Sequence, residues 1–146
     1  MAVVCLVFGF AVGASGLAQA APDGTPVSFV TAARGIQSGV RQPGHAIART
    51  VAEWTELWTR HSGPMGAPPA VDLSTEMVIA VFAGERPTSG YEIEIVRVLS
   101  TPEGLRVAYR ERTPPPGALV RPVLTAPFHV IRLARSDVRI DVVREP

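Results

Sequence analysis

Met77-Val78-Ile79-Ala80-Val81-Phe82-Ala83 is an unbroken apolar run, followed at once by Gly84-Glu85-Arg86-Pro87-Thr88-Ser89-Gly90-Tyr91 and then by the alternation Glu92-Ile93-Glu94-Ile95. A short β-branched run stopped by glycine reads as a strand, and Val78, Ile79, Val81 and Phe82 fill both of its faces, as in a central strand covered on two sides. It is expected to be the most buried element. From Tyr91 the pattern changes to one apolar and one wet face, with a slip of phase near Val96 to Val98 that signals a bulge. Leu105, Val107 and Tyr109 alternate with Arg106 and Arg110 in the same way, so the short Thr101-Pro102-Glu103-Gly104 link makes these two strands a hairpin. Glu92 or Glu94 then faces Arg106 or Arg110, a pairing worth a few tenths of a kcal/mol at an exposed site.

Upstream, Pro26 to Ala33 and His45 to Arg49 read as two further strands, separated by a Gly-Ser-Gly stretch from Gly35 to Gly39. Thr50-Val51-Ala52-Glu53 is a capping box, in which hydroxyl and carboxylate each satisfy the other's main-chain N–H. Trp54, Leu57, Trp58 and His61 follow at helical spacing and Gly63-Pro64 supplies the stop, so Thr50 to Ser62 is expected to be one amphipathic helix. Both indoles face the sheet. Ser62 to Thr75 and Pro114 to Pro127 are too rich in proline for regular structure. Phe128 to Ala134 and Val138 to Val143 read as a closing hairpin, with Val138, Ile140 and Val142 on its inner face. The expected fold is mainly β (α+β): an antiparallel, sandwich-like sheet of about seven strands with one helix.

The 146 residues hold no charged side chain before Asp23. Residues 2–17 are apolar or small and lead to Ala18-Gln19-Ala20, so Met1 to Ala20 is expected to be a cleaved signal peptide, with membrane attachment only if that segment is retained. Residues 21–146 then form one β-rich domain, periplasmic or extracellular. Cys5 is the only cysteine, so the mature chain is expected to lack disulfides and thiol chemistry.

All 14 positive side chains are arginine and 13 acids nearly cancel them. Arg97, Arg106, Arg110 and Arg132 are interleaved with Glu92, Glu94 and Glu111, which excludes the basic face that nucleic acid requires. His45, His61 and His129 are far apart, with no ligand spacing among them, so no metal and no cofactor are expected. His61 is read as structural, its imidazolium favouring the helix C-terminus. No nucleophile elbow or phosphate loop is present, and no catalytic residue is assigned. Arg86, Pro87, Thr88, Ser89, Gly90 and Tyr91 have two readings. In the first they are a hairpin loop, and turn chemistry accounts for each of them; in the second they form a rigid loop offered, with the proline-rich loops, to a protein partner.

Glu53-Trp54 with Leu57-Trp58 and His61, Val71-Asp72-Leu73, Met77-Val78-Ile79, Gly84 with Arg86 to Tyr91, and Leu124-Thr125-Ala126-Pro127-Phe128 occur in that order. This pattern, over about Phe29 to Val143, resembles the PrcB family, the C-terminal domain of a protease complex subunit. The family's loop is usually Pro-Thr-Gly-Gly-Tyr, so Ser89 replaces a glycine; its Pro-Tyr is Pro127-Phe128 here. The resemblance implies an exported accessory protein without catalytic activity that binds and stabilises a secreted or surface protein, a protease first among the candidates. Arg86 to Tyr91 is also similar to the Asn-Pro-Thr-Thr-Gly-Tyr loop of chagasin-type inhibitors of cysteine proteases, with Arg86 in place of Asn. That similarity implies inhibition as the alternative activity.

Overall fold

The computed structural model describes residues 24–146. Cys5 and the expected signal peptide, Met1 to Ala20, lie outside the described residues. The elements are β1 (Thr25–Pro26), β2 (Phe29–Gly35), β3 (Gly44–Ala48), α1 (Val51–Ser62), β4 (Glu76–Phe82), β5 (Glu92–Thr101), β6 (Gly104–Arg112), β7 (Phe128–Ala134) and β8 (Ile140–Glu145). They form two four-stranded sheets, one ordered β1-β5-β6-β8 and the other β2-β7-β4-β3. The sheets stack as a sandwich, and α1 lies on the outer face of the second.

This three-layer arrangement explains the apolar run. Met77, Ile79, Val81 and Ala83 face Ile93, Ile95, Val98, Leu105 and Val107 of the opposite sheet. Val78, Ala80 and Phe82 point the other way, into a second apolar cluster with Trp54, Leu57 and Leu73. With neighbours above, below and on both edges, β4 is buried along almost its whole length. Strand β7, between β2 and β4, is treated alike.

The helix forms where the capping box placed it. Thr50 is the N-cap, its hydroxyl accepting from the Glu53 N–H while the Glu53 carboxylate accepts from the Thr50 N–H. The same carboxylate accepts the Arg49 N–H at 2.6 Å, and this bond first of all holds the Glu53 pKa below the ordinary carboxylate value. Trp54 is 4% exposed and donates its indole N–H to the Pro69 carbonyl at 3.2 Å. Burying an indole of this size contributes about 5 kcal/mol. Trp58 sits beside it with ring centroids 5.3 Å apart, half-buried.

Four details differ from expectation. The first strand is two pieces, β1 in one sheet and β2 in the other, which gives eight strands in place of seven. Val138 lies before β8 and is exposed, whereas Ile140 and Val142 do join the core between the sheets. The closing hairpin is absent: both edges of β7 are occupied, by β2 and β4, so β8 crosses to the other sheet and pairs parallel with β6, Val107 opposite Val142. For the same reason residues 83–91 are a crossover between sheets and not a hairpin loop, since β4 and β5 belong to different sheets.

The β5–β6 hairpin is present, with the register break between Ile95 and Arg97. Glu94 stands opposite Arg110 and Glu92 opposite Arg112, while Arg106 faces Leu99. The Glu94 carboxylate nevertheless bonds Arg34 of β2 at 3.0 Å, tying the edges of the two sheets together.

Candidate partner-binding loop

The crossover from β4 to β5 begins where Ala83 donates to the Pro127 carbonyl at 2.9 Å, the last rung beside the strand. Gly84 then turns the chain with φ of +78°, a conformation L side chains rarely adopt. A Cβ there would lie 2.8 Å from the Pro43 ring. The next residue, Glu85, donates to the Arg41 carbonyl at 2.9 Å.

From Arg86 the segment runs antiparallel to the second proline-rich loop and is bonded to it repeatedly. Arg86 and Thr125 exchange both main-chain bonds, at 2.7 and 2.9 Å. The Thr125 hydroxyl donates to the Thr88 carbonyl at 2.9 Å, Ser89 N–H donates to the Arg121 carbonyl at 3.0 Å, and Ser89 Oγ accepts the Arg121 N–H at 2.9 Å. Gly90, with φ of +94°, closes against Pro114. Proline, glycine and paired main chain together leave little conformational freedom, so both segments are held in one shape.

Arg86 to Tyr91 are therefore one continuous structure, but their side chains divide by direction. Arg86 turns inward: its guanidinium meets Glu111 at 3.1 Å and lies 5.8 Å from the Tyr91 ring centroid. Glu111 also faces Arg144 at 3.8 Å. Pro87 and Gly90 are exposed, and Thr88, Ser89 and Tyr91 are half-buried.

The second proline-rich loop, expected from the sequence as candidate contact surface, supplies the outer segment. Residues 115–124 are all exposed, among them Leu119 (104%), Leu124 (61%), Val123 (47%) and Val120 (36%). Exposed Ile36 adjoins them, its carbonyl accepting the Ala126 N–H at 2.8 Å. The available signal was an apolar cluster between Pro116 and Pro127 that has neither strand nor helix period.

The histidines take separate structural places. His45 is exposed on an edge strand. His61 is buried against Phe128 at 4.0 Å between centroids and bonds Ser38 Oγ through Nδ1 at 2.9 Å. Burial lowers its pKa, so it packs as a neutral ring and not as the imidazolium expected at the helix end. His129 lies between the sheets, bonded to Thr31 Oγ1 at 2.9 Å and to the Ile95 N–H at 2.8 Å. Among the described residues no group of three or more His, Cys, Asp or Glu side chains converges on a metal-sized site.

Residues 77–134 match the family described as PrcB C-terminal. The match supports the PrcB resemblance. It runs from β4 to β7 and so contains the crossover, the β5–β6 hairpin and the arm that pins the crossover, while α1 and β8 fall outside it. No curated protein and no solved structure matches the chain. The PrcB-like stretch is thus the part of the molecule that carries the candidate surface.

Proposed function

We propose that this PrcB-like protein is an exported, non-catalytic accessory protein that binds another protein outside the cytoplasm, a secreted protease being the first candidate. One observation carries the reading. Residues 86–90 are locked to residues 121–125 by main-chain bonds, yet Pro87, Gly90 and residues 121–124 remain open to solvent at one end of a stiff sandwich. A surface whose shape is set before contact loses little entropy on binding, and rigid loops on β scaffolds commonly serve recognition. The family relation points to a protease complex as the setting.

Affinity capture from the culture medium or periplasm of the producing organism tests it, with Pro87→Arg as the loop variant. The expected result is a partner retained by the wild-type chain and lost with Pro87→Arg, while the far-ultraviolet spectrum stays the same. Partners that ignore the substitution would remove the loop from the contact. Inhibition is separated by titrating the domain into a papain-like protease: loss of activity at micromolar domain favours the chagasin-type reading, and full activity removes it.

A further inference from the structure

The arm from Gly117 to Leu124 is unusual in this surface, because it exposes several apolar side chains with one charge, Arg121, among them. Leu119 is as exposed as in an extended chain, and Leu124 and Val123 are about half exposed (61% and 47%). Contiguous apolar surface of this kind marks an interaction site far more often than single exposed leucines do. Pro122 fixes φ within the arm, and Pro114, Pro115 and Pro116 fix it just before, which reduces the arm's conformational freedom.

Two features define what meets it. The Arg121 N–H and carbonyl are spent inward on Ser89, and Pro122 has no N–H, so the arm offers side chains and not a free ladder for an added strand. Its charge is also single-signed. Arg121 is the only charged residue between Thr113 and Pro127. The other arginines at this end have carboxylates, Arg41 with Glu85 at 3.6 Å, Arg86 with Glu111 at 3.1 Å and Arg112 with Glu92 at 3.7 Å. Among the described residues no carboxylate lies within 4 Å of the Arg121 guanidinium.

We propose, resting on the partner-binding reading above, that this arm is the part that enters the partner, and that the partner is a folded protein with an apolar groove carrying a carboxylate opposite Arg121. A projecting arm requires a concave counterpart, and a cation carried into an apolar contact requires a paired anion. Arm-to-arm pairing of two copies does not fit, since it would bring two Arg121 side chains together with no acid on either arm.

The test places the photo-crosslinker p-benzoylphenylalanine in the full chain, in the organism that makes it, at Leu119, Val123 or Pro87, with exposed Val51 of the helix as control. Adducts are identified, and the joined peptides located, by mass spectrometry. The expected result is one partner protein joined through Leu119 and Val123 beside an Asp or Glu. Arg121→Glu should lower the adduct at least tenfold, and exchanging that partner carboxylate for lysine should restore it. An adduct at Pro87 without one at Leu119 leaves partner binding standing and overturns the arm. Adducts to a second copy of the chain, or adducts indifferent to Arg121→Glu, also overturn it, and absence of adducts at all three positions removes both readings.

Discussion

The Nδ1 atom of His129 accepts the main-chain N–H of Ile95 at 2.8 Å, and through that bond β7 of one sheet is joined to β5 of the other. A main-chain N–H only donates, so Nδ1 carries a lone pair and the proton sits on Nε2, facing Thr31 Oγ1 at 2.9 Å. The bonded Ile95 stands beside the register break of β5. A buried polar side chain thus satisfies main chain where the ladder is irregular, as burial demands.

Acid should weaken this link. Burial first, and the nearby Arg34 guanidinium second, lower the His129 pKa to about 4, with Glu94 opposing. An unfolded histidine titrates near 6.5. Between those values the unfolded chain binds more protons, so the contribution is complete above pH 6.5 and is lost as pH falls to about 4, roughly 3 kcal/mol in all. Urea denaturation at pH 7 and pH 4.5 measures it. His129→Gln keeps an acceptor for Ile95 and a donor for Thr31 without the titration, so its stability should fall less over this range, the remainder coming from His61 and carboxylates. Parallel curves for the two proteins would rule out His129 as the acid-sensitive group.

The two indoles should behave differently. Trp54→Ala removes a buried ring with a satisfied N–H and should cost about 3 to 5 kcal/mol. Trp58 has its indole N–H buried with no acceptor. Trp58→Phe discards an unpaired donor while keeping most of the ring, so the change should stay within about 1 kcal/mol. Chemical denaturation of both variants checks the contrast, and equal losses would mean that the Trp58 N–H is not truly orphaned.

Local signals were legible and partnerships between distant strands were not. The capping box names the N-cap, and an apolar run filling both faces of Met77 to Ala83 identifies a strand with cover on two sides, because both patterns are written in neighbouring residues. Nothing in Val138 to Val143 says which sheet it joins. That choice depends on β7 having both edges taken, a property of the assembled sheet. The candidate loop was legible as rigid from Pro87 and Gly90, but the inward turn of Arg86 depends on Glu111 and Tyr91 being nearby in space. The arm was legible as a proline-rich surface loop, but its leucines and valines have no period, and only accessibility reveals that they are unpacked.

Thr125→Val should loosen the crossover without displacing the core. The hydroxyl of Thr125, 2% exposed, is the donor to the Thr88 carbonyl, and valine keeps the shape but leaves that carbonyl unpaired. The cost should be about 1 to 2 kcal/mol. Amide exchange at Arg86 and Ser89, whose N–H groups bond Thr125 and Arg121, should quicken relative to amides of β4. Unchanged exchange would show that the main-chain bonds alone hold the two segments together.

Gly84→Ala should be more damaging than Gly117→Ala, although both glycines have φ near +80°. Placing an L residue at such an angle costs about 1 to 2 kcal/mol at either position. Around Gly117 nothing lies within 4 Å of the added carbon, so the backbone cost stands alone. At Gly84 the carbon would approach the ring and nitrogen of Pro43 to 2.8 Å and the Arg41 carbonyl to 3.0 Å, and neither belongs to a flexible side chain. The loop must then shift, straining the bond from Glu85 to Arg41 and the paired bonds between Arg86 and Thr125. A total near 3 kcal/mol is expected for Gly84→Ala against about 1 for Gly117→Ala, read from denaturation midpoints. Equal losses would mean that the Pro43 segment gives way, and with it the idea that Gly84 aims the loop.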